Sequence, residues 1–213
     1  MKKIIVTLLL AFIPLSSLYA ETYNWQGFYL GGSIGGAVNG DSDWKYSIGS
    51  EPTPNPVKTT GLVGGGALQY QYQIKNIVLG FEAKLLAADV KGNSTCPNTA
   101  WNCRVELSSL LYLGPKLGYA YENFQIYGTA GYAQARVKSI ATTPGVESEI
   151  ANKNNDGYGL GLGLDYAKNQ NLIFGLQYLH VDLSRERFNV YNGANRDVDN
   201  TSDYILGNIS YKF

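Results

Sequence analysis

From Leu111 to Ala135 the chain reads LYLGPKLGYAYENFQIYGTAGYAQA, two runs of alternating apolar residues around the polar pair Glu122-Asn123. Before that pair, Leu111, Leu113, Leu117, Tyr119 and Tyr121 fall on one side of a strand, and Tyr112, Gly114, Lys116, Gly118 and Ala120 on the other. Side chains alternate between the two faces of a strand, so this run has an oily face and a small-or-polar face. The oily face ends in tyrosines beside a short turn, where a membrane strand places its interfacial aromatics. The pattern predicts a transmembrane hairpin.

The same pattern recurs along the chain. Phe28, Leu30, Ile34 and Val38 alternate with Tyr29, Gly31, Ser33, Gly35 and Ala37; Leu68, Tyr70, Tyr72 and Ile74 alternate with Gln69, Gln71 and Gln73. Three glutamines in a row on one face would be costly in a dry protein core without partners. Leu79, Phe81, Ala83 and Leu85 oppose Glu82 and Lys84; Tyr158, Leu160, Leu162, Leu164 and Tyr166 oppose Gly159, Gly161, Gly163 and Asp165. Leu172, Phe174, Leu176 and Tyr178 oppose Gln177, and Ile205, Ile209, Tyr211 and Phe213 oppose Asn208, Ser210 and Lys212. The run from Phe124 to Val137 is less regular, and its register stays open. Short polar connections (Lys75-Asn76, Glu122-Asn123, Lys168 to Asn171) alternate with long ones rich in Asn, Asp, Pro, Ser and Thr: Asn39 to Thr59, Asp89 to Cys103, Ser139 to Asp156 and Ser184 to Asp203. Such alternation predicts an all-β, eight-stranded, antiparallel up-and-down transmembrane barrel with short periplasmic turns and long external loops.

The interior of an eight-stranded barrel is just wide enough to be filled by side chains. Inward glycines then make room for larger inward residues. Counted from the periplasmic turns, Glu82 and Lys116 stand at similar heights on neighbouring strands, which predicts an ion pair between them. Lys84, Asp165 and Gln177 complete an expected polar network of structural purpose. Tyr211 and Phe213 are the last outward pair of the final run.

The first twenty residues are a signal peptide on this reading: Lys2 and Lys3, an apolar run to Leu18, and a cut after Ala20. The barrel domain is expected over 21–213, with no separate periplasmic domain because the chain stops at the last strand. Setting Lys2 and Lys3 aside from 17 basic and 17 acidic residues leaves a net charge of about −2. That is no footprint for nucleic acid. Membrane lipid and lipopolysaccharide are the expected surroundings, and a monomer the expected state. Cys96 and Cys103, in TCPNTAWNC, lie inside the second long connection. In an exported protein a loop-closing disulfide is the expected state of such a pair, whereas a metal site would need more ligands than two thiols.

Candidate chemistry is sparse. His180 is the single histidine, with Asp182 and Ser184 beyond it. A nucleophilic arrangement needs the serine within hydrogen-bond reach of the imidazole and a third group orienting the ring; an imidazole in the interfacial belt, where amphipathic rings are favoured, explains His180 equally well. The runs GGSIGG, GGGA and GLGLGL lack the following helix that a phosphate-cradling loop requires. Arg185-Glu186-Arg187 and Arg196-Asp197 read as a solvated loop face, or as a contact to anionic lipopolysaccharide or a host molecule. No catalytic group, metal or resident cofactor is expected.

Asn24-Trp25-Gln26-Gly27-Phe28-Tyr29-Leu30-Gly31-Gly32, the hairpin LGYAYENFQIYGTAGYA, the segment GLGLGLDYAKNQNLIFGLQYLHVDLS and the terminal SYKF resemble the small outer-membrane β-barrel surface proteins of alphaproteobacterial type. That porin-family group includes surface antigens and haemin-binding proteins and is similar to OmpA-like and Opa-like barrels. The resemblance implies a surface protein with a structural or interaction role, adhesin- or antigen-like, through external loops that meet host or extracellular molecules. It also brings in a small pore or a haemin binder, with His180 or a loop tyrosine such as Tyr191 as axial ligand, and implies that Tyr211 and Phe213 are an assembly signal read by the barrel-assembly machinery. A lipid-A-modifying enzyme, as among other eight-stranded barrels, is the remoter alternative that His180, Asp182 and Ser184 leave open. The chain departs from the family pattern at Gln177, where an inward Glu is usual, at Lys116, where Arg is usual, and at Asn208, where Gly is usual.

Overall fold

The computed structural model describes residues 23–46, 57–95, 102–143, 146–190 and 194–213. Eight strands run β1 (Gly27–Tyr46), β2 (Val57–Ile74), β3 (Ile77–Thr95), β4 (Asn102–Tyr121), β5 (Phe124–Thr143), β6 (Val146–Ala167), β7 (Leu172–Val190) and β8 (Ala194–Lys212). Each pairs antiparallel with the next, and β8 closes on β1, so the sheet is a barrel without edges. The expected signal peptide lies outside the described residues.

The short turns join Ile74 to Ile77 and Tyr121 to Phe124 directly. Their first residues, Lys75 and Glu122, take positive φ of 56° and 51°, which lets the strands fold back within two residues. The third turn is held by Asn169, whose Oδ1 accepts from the backbone N–H groups of Asn171 and Leu172 at 3.0 and 2.8 Å. β5 carries the register that the sequence left open. It alternates strictly, with Gln125, Tyr127, Thr129, Ala133, Ala135 and Val137 buried inside and Ile126, Gly128, Ala130 and Tyr132 on the other face.

The strands are longer than the sequence pattern implied. They have 18 to 22 residues, against about 9–11 needed to cross a bilayer. Most of each segment expected as a long external connection is therefore strand. Outward apolar residues stop at a belt marked by Tyr132, Tyr158 and Tyr178. Beyond it the outward positions become polar: Gln134, Arg136 and Lys138 on β5, Asp182 and Ser184 on β7, Asp89, Lys91 and Asn93 on β3.

The inward positions change in the opposite sense. Below the belt they include Glu82, Lys84, Lys116, Gln125 and Asp165; above it Leu86, Val90, Leu107, Val137, Val181 and Leu183 belong to one buried apolar cluster, with the small polar side chains Ser42, Asn155, Asn200 and Ser202 also buried. A bilayer surrounds the lower half and water the upper half, so apolar side chains point out below and in above. From Tyr132 to the end of β5 at Thr143, a rise of ~3.3 Å per residue and a tilt of ~40° lift the sheet roughly 25–30 Å clear of the membrane.

The periplasmic mouth is covered by the segment before β1. Trp25 is fully buried with Tyr29, Val78, Ala120, Ala167 and Ile173. Its backbone N–H donates to Gln73 Oε1 at 2.6 Å, and the Tyr29 hydroxyl donates to its carbonyl at 2.6 Å. Tyr23 packs edge-on against Trp25, with centroids 4.9 Å apart, donates its N–H to the Glu122 carbonyl and its hydroxyl to the Gln170 carbonyl. Lys212 of β8 donates to the Asn24 carbonyl.

Candidate functional site

Between the aromatic layer at the mouth and the apolar core above lies the charged layer of the barrel. Lys84 Nζ meets Glu82 Oε2 at 2.8 Å, both side chains fully buried. Gln177 Nε2 donates to Glu82 Oε1 at 2.9 Å. Lys116 Nζ reaches over β5 to Asp165 Oδ2 at 2.6 Å, contacts Gln69 Oε1 at 3.3 Å, and lies 3.6 Å from the Tyr127 ring centroid. The four charges of these two pairs cancel. Gln177 is neutral, so it bonds Glu82 without adding a charge beside it.

The expected Glu82–Lys116 pair is not the one formed. Ile77 stands opposite Tyr119, not Tyr121, so Glu82 faces Gly114 and Lys116 faces Gly80. Barrel strands are tilted and staggered, so equal counts from the periplasmic turns are unequal heights. Glu82 instead takes the lysine two residues along its own strand, on the same face. Lys116 takes the acid from β6.

Inward glycines make the space. A Cβ on Gly163 would lie 2.3 Å from the Tyr127 ring, one on Gly175 would lie 2.3 Å from Asp165 Oδ1, and one on Gly159 would lie 2.8 Å from the Tyr112 ring. Thr129 donates its only hydroxyl hydrogen to the Pro115 carbonyl at 2.9 Å. The 2.7 Å contact between Tyr112 and Thr129 is then a donation from the phenol.

His180 does not assemble a catalytic trio. It is on the lipid-facing side, and its Nδ1 is 2.7 Å from Asp203 of β8. Asp182 accepts instead from the Tyr158 hydroxyl at 2.9 Å. Ser184 is four residues up the same strand, ~13 Å from His180. The belt contains a feature the sequence reading missed. The Tyr132, Tyr158 and Tyr178 hydroxyls donate to Asp156, Asp182 and Asp203 at 2.7, 2.9 and 2.8 Å, each across to the next strand. The signal was present in Asp156-Gly157-Tyr158, with an outward acid two residues beyond the belt tyrosine. These bonds satisfy three phenols and three carboxylates where hydrocarbon gives way to headgroups.

Tyr211 and Phe213 stand outward at the bottom of β8 with ring centroids 5.0 Å apart. Cys96 and Tyr191 lie outside the described residues, and of Cys103, Arg185, Glu186, Arg187, Arg196 and Asp197 only the backbone is described, so the expected disulfide and loop-tip contacts also fall outside them. Among the described residues there is no group of three or more His, Cys, Asp or Glu side chains able to hold a metal.

Comparison with known proteins agrees with this architecture. The chain is 29% identical over 194 residues to the 31 kDa outer-membrane immunogenic protein of Brucella melitensis, covering 85% of this chain and 78% of that one. It is 30% identical over 173 residues to the 22 kDa outer membrane protein of Rhizobium leguminosarum bv. viciae, covering 80% and 70%. The crystal structure of the outer membrane protein OprG from Pseudomonas aeruginosa superposes with a TM-score of 0.52 at 16% identity, covering 88% of this chain and 96% of that one, a likeness of fold. The model of the outer membrane protein beta-barrel domain matches residues 5–213. A closed barrel with a lipid-facing belt, a filled interior and these relatives is a bacterial outer-membrane protein, and the chain belongs to the outer membrane protein beta-barrel domain family.

Proposed function

We propose that this protein is a surface-display barrel: a non-conducting base in the outer membrane carrying a rigid extension whose hairpin tips meet extracellular molecules. The observation that carries the reading is the exchange of inward and outward polarity at the tyrosine belt. A pore needs a continuous wet path, whereas this interior passes from an aromatic cap through neutralised ion pairs to an apolar core. An extension with its own buried core is a firm base for an interaction surface. The relative named for its immunogenicity at the outer membrane supports exposure to the outside.

Two measurements test this. Purified protein in planar bilayers is expected to show no discrete conductance steps; regular steps would overturn the closed-barrel reading. Cells carrying a variant with β5 and β6 cut back to Tyr132 and Tyr158 should insert normally but lose binding to extracellular-matrix and host-cell surfaces. Unchanged binding by the shortened barrel would remove the extension from the function.

A further inference from the structure

The lipid-facing wall is not uniform. Two adjoining rows of outward residues run across it: Leu79, Leu117, Gly128, Leu162 and Tyr178, then Phe81, Pro115, Ala130, Leu160 and His180. On β5 both positions are minimal, Gly128 and Ala130, while Leu117 on one side and Leu160 and Leu162 on the other stand proud at 49–66% exposure. The result is an open hollow of about 960 Å³ across the outward face from Leu79 of β3 to His180 of β7, with the small residues of β5 at its middle and Pro115 beside its floor. That is within the ~300–1,000 Å³ of a ligand pocket. It is bounded below by Ile126 and above by Tyr132, and so lies inside the hydrocarbon band.

Beneath this hollow the ladder is interrupted. The β4–β5 pairing stops at Leu113 opposite Tyr132 and resumes at Lys116 opposite Thr129. Between them Pro115 has no N–H to offer, and its carbonyl is served by the inward hydroxyl of Thr129. The upper end of the hollow is polar. His180 lines it with Nδ1 committed to Asp203, and the Tyr178 hydroxyl donates to the same carboxylate. The other ring nitrogen, Nε2, has no hydrogen-bond partner among the described residues, and in the imidazolium form, paired with Asp203, it offers an N–H at headgroup level.

We propose that this hollow is a specific lipid site that seats one acyl chain of lipopolysaccharide, with the phosphorylated headgroup of lipid A beside His180. Three properties fix the occupant. The slot is apolar and about one chain wide, since it is the gap left by a single strand between two leucine ridges. It lies on the outward face of the barrel, between exposed leucines. Its polar end points to the outer leaflet, where lipopolysaccharide is the resident lipid.

The test uses protein extracted from outer membranes in mild detergent and examined by native mass spectrometry. Parent protein is expected to carry one lipopolysaccharide that survives detergent exchange. Gly128→Leu with Ala130→Phe fills the slot; a Cβ at Gly128 meets nothing closer than 3.8 Å, so the larger side chain has room. The filled barrel should retain at least tenfold less lipopolysaccharide while keeping its heat-modifiable mobility on gels, and His180→Phe should weaken retention less. Leu68→Phe, on the lipid face of β2, should retain it as the parent does. Should the double variant fail to fold, Gly128→Leu alone carries the comparison. Equal retention by filled and parent barrels, equal loss in the Leu68 control, or a phospholipid held in place of lipopolysaccharide would each overturn the proposal.

Discussion

Lys116 and Asp165 form a buried pair whose two members depend on each other unequally. The lysine has alternatives in Gln69 at 3.3 Å and the face of Tyr127 at 3.6 Å. Among the described residues the aspartate has one hydrogen-bond donor, Lys116, and its side chain is 7% exposed. Lys116→Ala therefore leaves a buried carboxylate without compensation, a loss of about 3–5 kcal/mol. Asp165→Asn leaves a lysine that still has an amide oxygen and an aromatic face, and should cost roughly 1–3 kcal/mol. The double variant Lys116→Met/Asp165→Asn removes both charges of this pair and should recover about 2 kcal/mol relative to Lys116→Ala. Urea titration of barrels folded into lipid vesicles, followed by fluorescence of the buried Trp25, measures all three. If Lys116→Ala costs no more than Asp165→Asn, the asymmetry drawn from the partner lists is wrong.

Gly163→Ala drives a methyl into the Tyr127 ring and displaces it from Lys116, a loss of about 1–3 kcal/mol, whereas Gly66→Ala, with nothing within 4 Å of its Cβ, should stay within ~0.5 kcal/mol; the same titration distinguishes them. Deleting Phe213 should lower the yield of heat-modifiable barrel in outer membranes, and an undiminished yield would separate the terminal aromatic from assembly. Iodoacetamide is expected to label neither Cys96 nor Cys103 unless the protein is first reduced; labelling without reductant would exclude the disulfide.

The lower half of the barrel was legible because a bilayer on one side and a narrow lumen on the other give each strand a clean two-residue period. Tyr158 to Tyr166 shows it best, and the face assignments made there are those observed. The upper half was hidden by the change of solvent. On β3 the alternation continues through Leu86, Val90 and Lys91 without losing phase, but the apolar set moves from outside to inside. A pattern whose faces swap reads as the end of a strand, so these stretches look like connections. Stagger was hidden for a different reason. Nothing local records that Ile77 stands opposite Tyr119, because the offset belongs to the closed barrel as a whole. The slot over Gly128 and Ala130 was visible only as irregularity in the fifth run.

Tyr23, Asn24 and Trp25, ahead of the first strand, touch parts of the chain that are remote from them in sequence: Gln73, the turn at Glu122, the turn at Gln170, and Lys212 in the last strand. Those anchors stand at their mutual distances only after the last strand has zipped to the first. The indole of Trp25 thus behaves as a seal that can be set only on a finished cylinder, and its withdrawal from water reports completion rather than initiation. A refolding time course in which that fluorescence change preceded gel-detected closure would contradict this order of events.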